Sequence, residues 1–296
     1  MRIVSLVPSA TELLFALGLD DEVIAVTHEC DYPLEALERP RVTSDVLEPG
    51  LSAGEIDAAV RERTAAGRAI YTLDAEHLEE LEPDLIVTQA VCHVCAVSYE
   101  DVVAVAERID SRPRVISLGP STLGEVLENV RTLAAATDRQ EHGAALLEEL
   151  AARVDAVREA VAGAQRPRVA ALEWLEPVYV AGHWTPQLID YAGGEDVLGR
   201  AGERSEVRSW EEVAAAEPDV VVVMPCGYDA SRSHEEAGIY REQLDGVGAR
   251  TIVAVDAAGN FSRPGPRLID GLEVLGHLLH PDRVPEPAGA SRAVPV

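Results

Sequence analysis

TDRQEHGAALLEELAARVDAVREAVAGAQ (residues 137–165) separates two arrays of strand-like and helix-like segments, and its reading decides the fold. Leu146, Leu147, Leu150, Val154, Val157 and Val161 recur at helical spacing and mark one apolar face. A helix over about 138–162 spans roughly 37 Å at 1.5 Å per residue, enough to run beside two lobes as a stiff connector.

On its amino-terminal side, apolar runs alternate with helix signals. RIVSLV (2–7), EVIAVT (22–27), AIYTL (69–73), DLIVTQ (84–89) and RVISL (114–118) read as strands. SATELLFALG follows the first run, with Ser9 and Glu12 spaced as a capping box and Gly18 as the helix stop. EPGLSAGEIDAAVRERTAAG (48–67) reads as an inserted loop and helix, with Ser52 and Glu55 as a second box. On the carboxyl-terminal side RVAALEW, VYVAG, DVVVVMP and TIVAVD are strand candidates, and SWEEVAAAE and PRLIDGLEVLGHLL are helices. Such alternation indicates mostly parallel sheets with crossover helices.

The two arrays echo each other. LEELEPDLIVTQAVC (78–92) and EEVAAAEPDVVVVMPC (211–226) each read as a short acidic helix, Pro-Asp, a strand and a cysteine. The expected organisation is an α/β lobe over 1–136, the connecting helix over 137–165 and a second α/β lobe over 166–281, facing the first across a cleft. A Pro-rich tail over 282–296 is expected to be disordered.

The chain has 296 residues and a formal net charge of −27, and all 25 of its basic residues are arginine. Such a surface repels nucleic acid and anionic membranes. Acid excess without lysine suits a protein working in concentrated salt, where screening makes so much like charge tolerable. No run approaches the length of a membrane span. MRIVSL enters a strand at once without a signal-like region, so the expected address is cytoplasmic, or extracytoplasmic if the start is misassigned. Thiols are then expected to be reduced.

All four cysteines follow strand-like runs: Cys30, Cys92, Cys95 and Cys226. The carboxyl ends of parallel strands are where ligands bind. CHVC (92–95), with His93, suits a redox pair, half of a zinc site or coincidence. Cys30 lies in THECDYP beside His28, and Cys226 lies in MPCGYD, where Gly227 permits a tight turn. Thiolates from two lobes would hold zinc or an iron–sulfur cluster; the plainer alternative is that they pack around an organic ligand. In EWLEPVYVAGHWTPQLIDYAGG (173–194), Trp174 and Trp184 suit the walls of a pocket for a flat apolar ligand, although a tryptophan at a strand end is as readily core. His183 beside Gly182 is a better site candidate than His142, His277 or His280, which read as solvated. Phe261 and Arg263 in NFSRPGPR (260–267) are further contact candidates, unless that loop is simply a Pro-stabilised helix start. Phosphate-binding glycine motifs, a nucleophile elbow and a catalytic carboxylate pair are absent, which argues against an enzyme.

RIVSLVPSATELLFALG followed by EVIAVTHECDYP resembles the opening of the cobalamin-binding substrate-binding proteins of ABC importers. PDLIVTQ, the central helix, AGHWTPQLIDYAGGEDVL, SWEEVAAAEPDVVVV and SRPGPRLIDGLEVLGHLL extend the resemblance over roughly residues 2–280. The resemblance implies two Rossmann-like lobes on one backbone helix, a corrinoid, haem or ferric-siderophore ligand clasped between them, and docking to an importer. It also implies that Tyr32 and the loops of Trp184 and Phe261 line the cleft. The expected function is binding of a corrinoid such as cobalamin, or a related metal-containing macrocycle. Tyr32, Trp184, Tyr228 and Phe261 would give apolar contact, while His28, His183 or a cysteine would approach the metal. The rival expectation is a cytoplasmic metalloprotein or redox enzyme built on the four cysteines.

Overall fold

Alternation of apolar residues along three-residue to five-residue strands sorts them onto the two faces of a sheet, and this pattern builds the first half of the chain. A computed structural model describes residues 1–89, 98–288 and 293–296. The chain divides into two compact units, Met1–Pro120 with Leu127–Leu147, and Ser121–Val126 with Glu148–Val296.

In the first unit β1 (Ile3–Ser5), α1 (Pro8–Ala16), β2 (Val23–Val26), β3 (Thr43–Asp45), α2 (Ala53–Ala65) and β4 (Tyr71–Leu73) come first. They are followed by α3 (Ala75–Glu80), β5 (Leu85–Gln89), α4 (Tyr99–Ala106) and β6 (Arg114–Leu118). A parallel sheet runs in the order β2-β1-β5-β6. Ile3, Leu85 and Val87 face one core with Leu13, Leu14 and Leu17 of α1, while Val4 and Ile86 face another with Leu78 and Val102. AIYTL, expected in the parallel sheet, supplies β4 instead to a separate antiparallel ribbon with β3.

Local chemistry accounts for the helix ends. Gly18 at φ +70° stops α1, and Ser52 with Glu55 forms the expected capping box on α2. Ser9 and Glu12 do not cap. Pro8 already occupies the first turn, Val7 is the N-cap, and both Ser9 and Glu12 are buried inside α1.

After α5 (Leu123–Ala136), the central segment forms α6 (Gln140–Ala160), about 31 Å long at 1.5 Å per residue. Leu150, Val154, Val157 and Val161 are buried, and Leu146 and Leu147 pack on the first core, so the expected apolar face exists. Residues up to Leu147 belong to the first unit and those from Glu148 to the second, so the helix is not a segment apart from both. Gly143 lets α6 approach α5: a Cβ there would sit 2.6 Å from the Ala134 Cβ.

The second unit contains β7 (Arg168–Leu175), β8 (Val178–Val180), α7 (Thr185–Tyr191), β9 (Glu195–Asp196), β10 (Glu206–Arg208) and α8 (Trp210–Ala215). β11 (Val220–Val223), α9 (Ala230–Ile239), α10 (Arg241–Val247), β12 (Thr251–Ala254), α11 (Ala257–Asn260), α12 (Leu268–Leu279) and β13 (Val294–Pro295) complete it. Its sheet runs β10-β8-β7-β11-β12-β13, with β9 beside β7. β9, β7, β11 and β12 are mutually parallel neighbours, whereas β8, β10 and β13 join antiparallel. All four valines of β11 are buried, as a central parallel strand requires. Ser209 and Glu212 cap α8 as expected.

The tail expected to be disordered is in part structured. Val284 is buried, Val294 and Pro295 pair with Ala254 and Val253, and the Val296 amide donates to the Ile252 carbonyl at 3.0 Å. Proline is tolerated there because β13 is an edge strand. His277 and His280 are likewise not simply solvated: His277 Nδ1 lies 2.9 Å from the Val284 carbonyl and His280 Nε2 lies 3.1 Å from that of Gly193.

Candidate ligand-binding site

From β7 the chain passes first to β8 and β9 on one side and later to β11 on the other, so the sheet order reverses between β7 and β11. The carboxyl ends of parallel strands at such a reversal are where open α/β sheets bind ligands. Trp174 is the penultimate residue of β7 and Tyr228 follows β11, and their rings meet edge to face with centroids 5.5 Å apart.

The loops at this end are tied together by the backbone. The Cys226 amide donates to the Glu173 carbonyl at 3.0 Å, the Ala258 amide to the Tyr228 carbonyl at 2.9 Å, and the Gly227 amide to Ser262 Oγ at 3.4 Å. Gly227 sits at φ +80°, the tight turn its sequence position suggested. The Trp174 indole donates to the Glu176 carbonyl at 3.1 Å, which fixes the ring.

Arg232, four residues after Tyr228, lays its guanidinium over the Tyr228 ring at 3.7 Å from the centroid. Tyr228 is therefore held between an indole edge and a cation and is only 4% exposed. Burial pushes its hydroxyl up, partly opposed by Arg232, and burial also raises the carboxyl of Glu236 one turn further along α9. Arg232 is not among the residues expected from sequence; its only signal there is the i,i+4 spacing from an aromatic residue ahead of a helix.

Trp184 and Phe261, expected as pocket walls, are joined to each other in the second unit. The Trp184 indole donates to the Phe261 carbonyl at 2.8 Å, and Phe261 is 2% exposed. The pair is interior, joining the start of α7 to the loop before α12, because a buried indole N–H must find an acceptor. His183 stands at φ +52°, its amide donating to the Glu203 carbonyl at 2.6 Å and its carbonyl accepting from Gly202 at 2.8 Å. Burial holds its imidazole below the usual histidine range, and the Arg204 charge acts in the same direction. Gly182 is required beside it, since a Cβ there would overlap the Glu203 carbonyl oxygen. Arg263 is partly buried in the loop before α12.

In the first unit, His28 is fastened to the inserted ribbon rather than held out toward a metal. Its Nδ1 is 2.7 Å from Thr43 Oγ1, its ring meets Tyr71 edge on at 5.1 Å, and its Nε2 lies 3.5 Å from Glu29 Oε1. Tyr32, on the same loop, is 46% exposed and accessible to a ligand.

The cysteine site is corrected in part. Cys30 is 1% exposed, packs in the core beneath α1 and has its sulfur 3.0 Å from Thr11 Oγ1. A thiol of this kind is a core group, the common fate of cysteine. Cys226 is exposed on the β11 loop. Cys92 and Cys95 lie outside the described residues. Among the described residues, no three His, Cys, Asp or Glu side chains gather as a metal would require, so zinc and iron–sulfur ligation have no support.

Among the described residues, no helix is long and apolar enough to cross a membrane. Residues 3–243 match a family model described as Periplasmic binding protein. The vitamin B12-binding protein of Vibrio cholerae serotype O1 is 24% identical over 274 residues, covering 92% of this chain and 86% of that protein. Among solved structures, the periplasmic haem-binding protein HutB of Vibrio cholerae has a TM-score of 0.71 at 21% identity, covering 95% of this chain and 99% of that one. The periplasmic haem-binding protein BhuT, in complex with two haems, has a TM-score of 0.68 at 25% identity, covering 94% and 97%.

Proposed function

Because the chain belongs to the periplasmic binding protein family, a family of solute-binding proteins rather than enzymes, we propose that it binds a corrinoid such as cobalamin, or a related metal-containing macrocycle such as haem, for an ABC importer. The observation that carries this reading is the Trp174–Tyr228 pair at the carboxyl ends of β7 and β11, where the sheet order reverses. Trp174 offers a fixed indole to a flat ligand, and the pinned loops around Cys226 and Ser262 frame it without requiring a large rearrangement. Tyr32 and Arg263 are further candidate contacts in their own units. The names borne by the vitamin B12-binding and haem-binding relatives support the ligand class.

The test is a titration of the purified full chain with cyanocobalamin and, separately, with hemin, followed in the visible spectrum. Saturable binding of either macrocycle supports the reading, and the absence of saturable binding for both removes it.

A further inference from the structure

The Trp174–Tyr228 corner carries a charged group that the ligand class alone does not explain. Arg232 is exposed at the start of α9, yet its guanidinium is not loose: its Cζ sits over the Tyr228 ring at 3.7 Å from the centroid, and its backbone amide donates to the N-cap Asp229 at 2.8 Å. Glu236 lies near enough for its carboxyl to feel the Arg232 charge. Among the described residues, however, no carboxylate forms an ion pair with Arg232, whereas Arg153, Arg166 and Arg208 in the same unit each hold one or more. In a chain with net charge −27, a guanidinium without a paired carboxylate keeps donors available to an anionic group. A guanidinium carries its N–H donors in a planar fork that matches a carboxylate.

We propose that Arg232 is a specificity residue that selects macrocycles bearing free peripheral carboxylates over those whose side chains are amides or esters. The inference rests on the macrocycle reading above and narrows it. An acidic tetrapyrrole would place its ring against Trp174 and one carboxylate on Arg232. A neutral analogue would keep the ring contact and forgo the charge-assisted bond.

The experiment uses the full chain with zinc protoporphyrin IX, its dimethyl ester and cyanocobalamin, in wild type, Arg232→Gln and Arg232→Lys. Wild type is expected to bind the diacid at least about tenfold more tightly than the diester, as an added charge-assisted contact implies. Arg232→Gln abolishes that preference, and Arg232→Lys restores part of it, since lysine keeps the charge without the fork. Equal affinity for diacid and diester in wild type, or a preference that survives Arg232→Gln, overturns the inference while leaving macrocycle binding intact. If none of the three probes binds, the function reading itself fails and the inference falls with it.

Discussion

The Trp184 indole reaches across 77 residues of sequence to donate a 2.8 Å hydrogen bond to the carbonyl of Phe261. That bond fixes where α7 begins relative to the loop that leads into α12, both within the second unit. A buried carbonyl deprived of its donor carries a desolvation cost, so the bond matters more for what its loss leaves behind than for its own strength.

Trp184→Phe keeps most of the apolar volume and removes only the donor. It is expected to destabilise the protein by about 1–3 kcal/mol, measured by urea unfolding. Trp184→Ala is expected to cost about 3–5 kcal/mol, since it also opens a cavity. A Trp184→Phe protein as stable as wild type would show that the indole N–H contributes nothing.

Arg153 on α6 grips two carboxylates of α12, with Asp270 Oδ1 at 2.5 Å and Glu273 Oε2 at 2.7 Å. Arg153→Ala leaves two half-buried acids side by side and is expected to cost about 2–4 kcal/mol at neutral pH. The triple variant Arg153→Met, Asp270→Asn, Glu273→Gln is expected to recover much of that loss, because no partly buried charge is then stranded. Unfolding midpoints of the single and triple variants check this.

His183 titrates below the usual histidine range because burial and Arg204 disfavour its charged form. Its contribution to stability is therefore full above the unfolded histidine value of about 6.5 and is lost as pH falls through the lower folded value. Acidification from about pH 7 to about pH 5 is expected to destabilise wild type more than His183→Asn, a replacement that tolerates the φ of +52°. Parallel pH dependence in the two proteins would show that His183 is not the group responsible.

The net charge of −27 makes the folded chain repel itself at low ionic strength. Raising salt from about 0.05 to about 1 M shortens the screening length to about 3 Å, and the melting temperature is expected to rise by at least roughly 2–4 °C for each kcal/mol of repulsion relieved. A melting temperature independent of salt would count against this expectation and against adaptation to concentrated salt.

Much of the architecture was legible because it is written in local patterns. The Pro-Asp boundaries before β5 and β11, the valine run of β11 and the caps at Ser52 and Ser209 depend on neighbours a few residues away. Ser9 and Glu12 show the limit of the same rule: their spacing is that of a capping box, but Pro8 shifts the helix start and turns both inward. The site was less legible, since its contacts span long separations. Trp174 and Trp184 look alike in sequence, yet one is penultimate in a strand beside Tyr228 and the other is spent on Phe261. Cys30 and Cys226 both follow strands, and only the packing beneath α1 makes the first a core thiol. Arg232 attracts no notice in the sequence because a helix-surface arginine is ordinary until the ring under it is seen.

The most direct test of the central claim is the affinity of wild type and Trp174→Ala for cyanocobalamin and hemin, measured by visible-absorbance titration of the full chain. Trp174 is partly exposed and its loss is expected to leave the fold intact, which circular dichroism verifies. Saturable binding by wild type, weakened about tenfold or more in Trp174→Ala, is the expected result for a stacked macrocycle. Binding that is indifferent to Trp174, or no binding of either ligand, would contradict the account.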